Sequence, residues 1–291
     1  MNFLRFGNIY LFLSALLLIG SVISIAIFGL QLGIDFTGGS ILEVEYKENR
    51  PSNEGIQRAL EGVDLGDISI QPIGEKGVII RLGTISQETH EQVLGRLGEQ
   101  AREMRFESIG PTIGTELKQK TIVMALLSLF AIAIYVALAF RRVAKPLTSW
   151  NLSVVGLGEL VHDTLITLGV LAFLGKFYQV QIQIPIVVAL LTIIGYSIND
   201  TVVVFDRIRE NILRRVGVDF ADTVNKSLQQ TFSRSLNTSL AKFCTVLAIF
   251  FLGGETLRYF AMTLAIGIAI GSYSSLFSGP AFLVRWLQKR G

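Results

Sequence analysis

Three neighbouring residues place ionisable groups inside a long apolar run of this chain. Glu159, His162 and Asp163 fall near the middle of the run, and their i, i+3, i+4 spacing puts them on one face of a helix. A buried carboxyl group and an imidazole are side chains that can exchange protons near neutral pH. The spacing therefore predicts either a proton relay or a polar face that joins helices through hydrogen bonds.

The next two apolar runs carry a second set of polar side chains. The first of these runs contains Ser197, Asn199 and Asp200, and the second contains Arg234, Asn237, Thr238 and Lys242. Because a buried charge needs a partner, we expect an ion pair between Asp200 and Arg234. The pair either holds two helices together or opens and closes as Asp200 gains and loses a proton. Lys242 is expected to extend its ammonium group to the cytoplasmic edge of the membrane. The alternative is that it tunes the site as a second cation on the face of Arg234 and Thr238.

Motifs of the common enzyme classes are missing from the sequence. It has no G-x-S-x-G, no Walker loop and no Cys/His nucleophile pair, and its single cysteine, Cys244, excludes an internal disulfide framework and a thiol-built zinc site. A metal site at His162 is disfavoured, since the H-E-x-x-H spacing and a second nearby histidine are both absent. We expect neither an enzyme nor a cofactor, so any work must use an ion gradient or the ATP of a partner.

The composition is that of an integral membrane protein. Of 291 residues, 51% are hydrophobic and 17% charged, and the mean hydropathy is +0.53. Because a bilayer core needs about 20 apolar residues per helix, the sequence predicts six transmembrane helices. They are placed at 9–30, 121–140, 150–174, 183–205, 235–253 and 259–284. The first is expected to be an uncleaved anchor, since its apolar run exceeds that of a usual signal peptide.

Basic residues fix the expected orientation. They lie at both ends and in the even-numbered connections: Arg5, Arg141, Arg142, Lys145, Arg207, Arg209, Arg214, Arg215, Lys226, Arg285, Lys289 and Arg290. The positive-inside rule then places both termini in the cytoplasm. Three regions follow: residues 1–30 with the N-terminal tail and first helix, an extracytoplasmic domain at 31–118, and residues 119–291 with five helices, a cytoplasmic loop at 206–234 and the C-terminal tail.

The segment between the first two helices has a different pattern. Residues 31–120 hold 15 of the 23 acidic but only 10 of the 26 basic residues, a net charge of −5 that argues against nucleic-acid binding. Short strands are predicted at 41–46, 68–73, 78–82 and 104–109, and helices at 52–63 and 86–100. This β-α-β-β-α-β order predicts a ferredoxin-like α+β domain.

Several longer motifs resemble a known family. They are GIDFTGG at 33–39, VHD at 161–163, GYSINDTVVVFDRIREN at 195–211, SRSLNTS at 233–239 and the glycine pair at 253–254. In sequence and in order they are similar to the SecD/SecF family of the bacterial Sec protein-export machinery, within the resistance-nodulation-division (RND) superfamily. The resemblance implies half of an RND-type twelve-helix unit in the bacterial cytoplasmic membrane.

The resemblance also implies partners and roles. The partners are SecD, the SecYEG channel, the SecA ATPase on the same pathway and the translocating preprotein, and the energy source is the proton motive force. Asp200 matches the family's proton-responsive carboxyl group, Arg234 its partner, and Thr238 a hydroxyl group beside the pathway. The motif with Gly33, Asp35, Gly38 and Gly39 matches the junction at which the external domain leaves the membrane.

Two other functions remain open at this point. One is a proton-coupled exporter of small molecules or lipids from the same superfamily, acting as a homo-oligomer. The other is an assembly factor whose polar residues only hold helices together. The coupling ion is open too, because a carboxylate can bind Na⁺ as well as H⁺.

Overall fold

Two compact units make up the chain in the computed structural model, which describes residues 2–140 and 147–288. One unit contains the residues up to Gln31 and those from Met124 onward, and the other runs from Leu32 to Val123. The domain expected at 31–118 overlaps this second unit, and its extracytoplasmic placement stays a prediction. The basic residues Arg141, Arg142, Lys145, Lys289 and Arg290, used for the expected orientation, lie outside the described residues.

Within the described residues, six helices are long and apolar enough to cross a membrane. These segments are α1 (Gly7–Phe28, after a 3₁₀ turn at Phe3–Phe6), α5 (Pro111–Ala139), α6 (Ser149–Tyr178), α7 (Ile184–Leu213), α8 (Phe220–Leu252) and α9 (Gly254–Tyr273), which continues through a π-helical turn (Ser274–Ser278) into α10 (Gly279–Gln288). The predicted number of spans is confirmed. The connection expected at 206–234 is mostly helical, since α7 continues to Leu213 and α8 begins at Phe220. A search for apolar runs finds only the part of a helix that lies in the lipid, so it places the helix ends too early.

Close helix packing in the membrane unit depends on small residues. A Cβ atom added at Gly169 of α6 would overlap the backbone of Ser21 in α1, and Ser24 donates a hydrogen bond to the Gly169 carbonyl (2.8 Å). A Cβ atom at Gly267 of α9 would overlap the side chain of Ile193 in α7. Contacts of this kind let helix backbones approach closely in lipid. As a result, α7 packs among α6, α8 and α9, with a buried core of Leu152, Leu160, Ile194, Val204, Phe205, Ile208, Val224 and Leu228.

The unit from Leu32 to Val123 contains a four-stranded antiparallel sheet. Its elements are α2 (Ile34–Thr37), β1 (Gly39–Tyr46), α3 (Asn53–Ala59), β2 (Ser69–Ile73), β3 (Gly77–Leu82), α4 (Gln87–Leu97) and β4 (Ala101–Ile109). The strand order is β2-β3-β1-β4, and every neighbouring pair is antiparallel. After α2, the order of strands and helices is the predicted β-α-β-β-α-β, so the ferredoxin-like arrangement is confirmed.

One face of this sheet is covered by the two longer helices. Alternate residues of β1 and β3 are buried against apolar residues of α3 and α4: Leu42, Val44, Tyr46, Val78, Ile80, Leu82, Ile56, Val93 and Leu97. Ser52 and Ser86 accept hydrogen bonds from the backbone N–H of Gly55 and Thr89, and so begin α3 and α4. The period-two pattern of the strands thus matches the side of the sheet that carries the core.

Candidate functional site: two polar clusters on α7

The carboxylate of Asp200 is buried at the middle of α7 and is held by α8. The Lys242 ammonium lies 3.3 and 3.5 Å from its two oxygens, and Ser239 donates a hydrogen bond to Oδ2 at 3.2 Å. Asp200 is only 6% exposed, so its charge needs this compensation inside an apolar bundle. Ser239 and Lys242 are three residues apart and therefore lie on the same face of α8.

The expected ion pair between Asp200 and Arg234 is not among the ion pairs of the described residues. Arg234 precedes Lys242 by eight residues, which is about 12 Å along a helix axis. It lines a separate cleft of about 230 Å³ with Asp206 and Glu210 of α7. The axial register of α7 and α8 places Asp200 level with Lys242, and a single sequence does not reveal that register. A role for Arg234 in the proton pathway stays a prediction.

The ammonium group of Lys242 lies beside Asp200, whereas the sequence analysis expected it at the cytoplasmic edge of the membrane. Its side chain is 23% exposed, and its ammonium group also lies 4.9 Å from the centre of the Tyr196 ring. A cation over an aromatic face is attracted by the negative charge density of the ring. Asp200 and Tyr196 together hold the lysine beside the middle of α7.

Thr238 of the expected proton pathway and two residues of the possible polar relay, Asn199 and Asn237, lie on the surface of the chain. Asn199, Asn237 and Thr238 are exposed. The Thr238 hydroxyl donates to the Ser235 carbonyl of its own helix at 2.9 Å, and the Asn199 amide lies 3.5 Å from an Asp200 oxygen, at the limit of a hydrogen bond. The structure thus brings Asn199 near the carboxylate but leaves Thr238 bonded within α8.

A second polar cluster surrounds Asp163 of α6. One carboxylate oxygen lies 2.9 Å from Nδ1 of His162, and the other accepts hydrogen bonds from Ser197 of α7 (2.5 Å) and Ser274 of the π-helical turn (2.8 Å). Asp163 is fully buried. π-Helical turns occur often at functional sites, because they shift the side chains that follow them. Here the turn brings the Ser274 hydroxyl to the carboxylate.

Glu159 completes this second cluster on the same face of α6. It is 5% exposed, and one of its oxygens accepts a hydrogen bond from Thr201 of α7. The other oxygen lies against Gly279, where a Cβ atom would overlap it. Sequence reasoning found Glu159, His162 and Asp163 but missed Thr201, Ser239 and Ser274. Ser239 could have been found from its position three residues before Lys242, because this spacing places both side chains on one face of a helix.

α7 therefore connects the two clusters. Ser197, which binds Asp163, precedes Asp200 by about one turn, and Thr201, which binds Glu159, follows it directly. A displacement of α7 would change the partners of all three carboxyl groups together. This arrangement suits a coupled switch, and its use as a relay stays a prediction. Within the described residues, no group of three or more His, Cys, Asp or Glu side chains is arranged to hold a metal ion.

Removing the Ser197 hydroxyl tests how far the second cluster depends on its hydrogen bonds. We expect Ser197→Ala to lower the free energy of unfolding by about 1–3 kcal/mol, because the buried Asp163 carboxylate loses a donor. Thermal unfolding of the purified chain measures this loss. Ser275→Ala is the matched control, since Ser275 is also buried but donates only to the Ser272 carbonyl. Equal stability of the two variants would contradict the expected role of Ser197.

The junction motif lies at the start of the second unit. Gly33 precedes α2, Asp35 lies in its first turn, and Gly38 and Gly39 lead from α2 into β1. Both glycines have positive φ, +76° and +132°. A Cβ atom at Gly38 would come within 2.8 Å of Pro111 Cα, and one at Gly39 within 2.8 Å of the Leu82 carbonyl oxygen. The backbone conformation and the tight packing both require glycine.

Gly39→Ala is expected to destabilise this unit by about 1–3 kcal/mol, because alanine at positive φ is strained and its Cβ meets the Leu82 carbonyl. Limited proteolysis of the full chain reports the loss as faster cleavage between residues 32 and 123. Gly95→Ala in α4 serves as the control, since nothing lies within 4 Å of the added atom. If Gly39→Ala is cleaved no faster than the control, alanine at position 39 causes neither the expected backbone strain nor the expected clash with the Leu82 carbonyl oxygen.

Two family models match the chain. The model described as "Protein export membrane protein SecD/SecF, C-terminal" matches residues 89–289, and the model of the SecD/SecF GG motif matches residues 23–49. The shorter match includes Gly38 and Gly39, and the longer one includes both polar clusters. The conformationally restricted glycines and the buried carboxyl groups thus lie inside the matched regions.

Individual relatives resemble the chain along nearly its whole length. A protein translocase subunit SecF from Thermobaculum terrenum is 38% identical, over 99% of this chain and 94% of the relative. A protein translocase subunit SecF from Calditerrivibrio nitroreducens is 36% identical, over 99% of this chain and 95% of the relative. The crystal structure of SecDF, a translocon-associated membrane protein from Thermus thermophilus, matches with a TM-score of 0.86 at 32% identity. That match covers 98% of this chain, which spans only 38% of the SecDF chain.

Proposed function

Because the chain belongs to the SecD/SecF family of protein export membrane proteins, we propose that it is the SecF subunit of a proton-driven protein-export complex. The observation that carries the proposal is the match over nearly the full length to proteins named as translocase subunit SecF. A twelve-helix unit also needs a second half, and this chain spans 38% of the solved SecDF chain that it resembles. SecD would supply that half.

The surface of α7 and α8 supports a helical partner in the membrane. Arg234, Asn237 and Thr238 of α8 and Asn199 of α7 are exposed on this chain. Polar side chains facing lipid are costly, whereas the same groups can form hydrogen bonds across a helix interface. We propose that SecD covers this surface and that the pair assists preproteins leaving the SecYEG channel after the ATP-driven steps of SecA.

Proton binding at Asp200 supplies the mechanical step. The ionised carboxylate attracts Lys242 and accepts a hydrogen bond from Ser239, so α7 and α8 are held together at this level. When a proton binds to a carboxylate oxygen, the attraction is lost and the Lys242 ammonium is left without a counter-charge in apolar surroundings. The arrangement of α7 against α8 that suits the ionised pair is then no longer favoured. Release of the proton restores the pair.

Orientation in the membrane follows from charge. Arg207, Arg209, Arg214, Arg215 and Lys226 lie near the α7–α8 connection, and Arg5 lies before α1. The positive-inside rule places these residues in the cytoplasm and the unit from Leu32 to Val123 outside. The external unit would then lie on the side at which an exported chain emerges.

The experiment that tests the assignment is identification of the partner. The tagged chain is purified from its own membrane in mild detergent, and the co-purifying proteins are identified by mass spectrometry. We expect a SecD-family protein in stoichiometric amount and subunits of the SecYEG channel in smaller amount. A homo-oligomer free of both would contradict the proposal and favour the small-molecule exporter.

A further inference from the structure

A side chain of the protein itself, that of Lys242, takes the place beside Asp200 where a free cation would contact the carboxylate. Lys242 Nζ lies within 3.5 Å of both carboxylate oxygens, and Ser239 donates to one of them. The space left between Asp200, Lys242 and α9 is about 10 Å³, which is at the lower limit for a single water molecule. A hydrated metal cation does not fit there while the lysine is in place.

Four helices surround the carboxylate, and three of them, α6, α7 and α8, carry its charged and titratable neighbours. α8 contributes Lys242, and α7 contributes Tyr196 beneath the ammonium group. The residues of α9 that line the remaining space are Gly267, Ile268, Gly271 and Ser272, none of them charged. On the α6 side, Glu159 and Asp163 are bonded to Thr201 and Ser197 of α7. Among these groups, Lys242 is the one cation in contact with Asp200.

We propose that Lys242 is a tethered counter-cation that makes the Asp200 switch selective for protons over Na⁺. This inference deepens the proposed function and rests on Asp200 being its switching carboxyl group. A Na⁺ ion at the carboxylate would lie a few ångströms from the ammonium group, and two like charges repel strongly where water is excluded. A proton instead forms a covalent bond to a carboxylate oxygen and needs no shell of ligands. Asp200 is then neutral, and Lys242 carries the only charge of the pair.

Lysine suits this role because its charge is compact and its stem is flexible. The ammonium group can leave the carboxylate by rotation about the bonds of its own side chain, whereas a planar guanidinium tends to bind a carboxylate with two fixed hydrogen bonds. The Tyr196 ring offers the ammonium a second favourable contact 4.9 Å away. The lysine therefore works as a positioning residue that acts through Asp200.

Na⁺ binding is measured on the full chain in complex with its SecD-family partner in lipid nanodiscs. Thermal unfolding is recorded in sodium chloride and in choline chloride at equal ionic strength and pH. We expect the same Tm in both salts for the parent complex. Lys242→Thr opens the site, and its Tm should rise by about 2–4 °C in sodium, as binding to the folded state predicts. Lys242→Gln is run in parallel, so that misfolding of one variant does not end the test.

Three further variants make the result specific. Lys242→Arg keeps a cation at the site and should remain insensitive to sodium. Lys226→Thr, on the same helix but paired with Asp222 at 2.8 Å, should behave like the parent. Adding Asp200→Asn to Lys242→Thr should abolish the gain in Tm.

Two results would overturn the inference. One is a parent complex stabilised by sodium through Asp200, and the other is folded Lys242→Thr and Lys242→Gln complexes with no response to sodium. The measurement involves no transport. Folded variants that do not respond to sodium would overturn the inference while the proposed function holds, whereas a parent complex stabilised by sodium through Asp200 would also count against proton coupling. Conversely, unchanged export by Asp200→Asn would contradict the proposed function without altering the sodium result.

Discussion

Asp200→Asn is expected to abolish the acceleration of preprotein export by the proton gradient and to leave the slow, gradient-independent rate. Asparagine has almost the same shape, but its neutral amide does not take up a proton near neutral pH and has no negative charge to attract the Lys242 ammonium group. A membrane potential of 100 mV biases the movement of one charge by about 2.3 kcal/mol, which is roughly 40-fold in an equilibrium. An acceleration of up to roughly 40-fold is therefore expected when one proton is driven by this potential alone. Proteoliposomes with the channel, SecA, SecD and this chain measure it.

The matched control for this prediction is Asp222→Asn. Asp222 lies near the start of α8 and pairs with Lys226, away from the buried carboxylate of Asp200. Its substitution should leave the response to the gradient as in the parent. If Asp200→Asn also retains the full response while the complex is intact, the proton role of Asp200 is refuted.

Gly169→Leu is expected to have the largest effect on stability, lowering the free energy of unfolding by more than about 3 kcal/mol. Even a single added Cβ atom would overlap Cα and Cβ of Ser21, so α1 and α6 must move apart. The separation also breaks the hydrogen bond from Ser24 to the Gly169 carbonyl. The yield of monodisperse protein in detergent and its Tm report the loss.

Gly158→Leu provides the comparison for this substitution. Gly158 lies on the same helix, and nothing is within 4 Å of a Cβ atom at that position. Gly158 also lines a cavity of about 450 Å³, which has room for the rest of the leucine side chain, so yield and Tm should stay close to those of the parent. Similar losses for Gly158→Leu and Gly169→Leu would show that a leucine at either position of α6 lowers stability, and that the α1–α6 contact is not the cause.

The architecture was predictable because its signals are local. Long apolar runs gave the six spans, and the alternation of Leu42, Val44 and Tyr46 gave a strand with one buried face, as the structure confirms. The ends of α7 and α8 were missed, because both helices extend beyond the apolar segments. Charge and amphipathic pattern, rather than hydropathy, determine those ends.

The polar contacts were only partly predictable, because they depend on how helices are placed relative to one another. The i, i+3, i+4 spacing correctly grouped Glu159, His162 and Asp163 on one face. The spacing did not identify the partner of Asp200. Arg234 and Lys242 lie on the same helix about two turns apart, and the axial position of α8 along α7 decides which of them meets the carboxylate. In the structure that position favours Lys242.

The most direct test of proton-driven export follows one translocation intermediate after SecA has been stopped. Inverted membrane vesicles containing the complex are loaded with a partly exported preprotein, ATP is removed, and a proton gradient is imposed or dissipated. We predict that the preprotein completes its passage only with the gradient, and only when this chain with Asp200 is present. Completion at the same rate without the gradient, or in vesicles lacking the chain, would contradict the account.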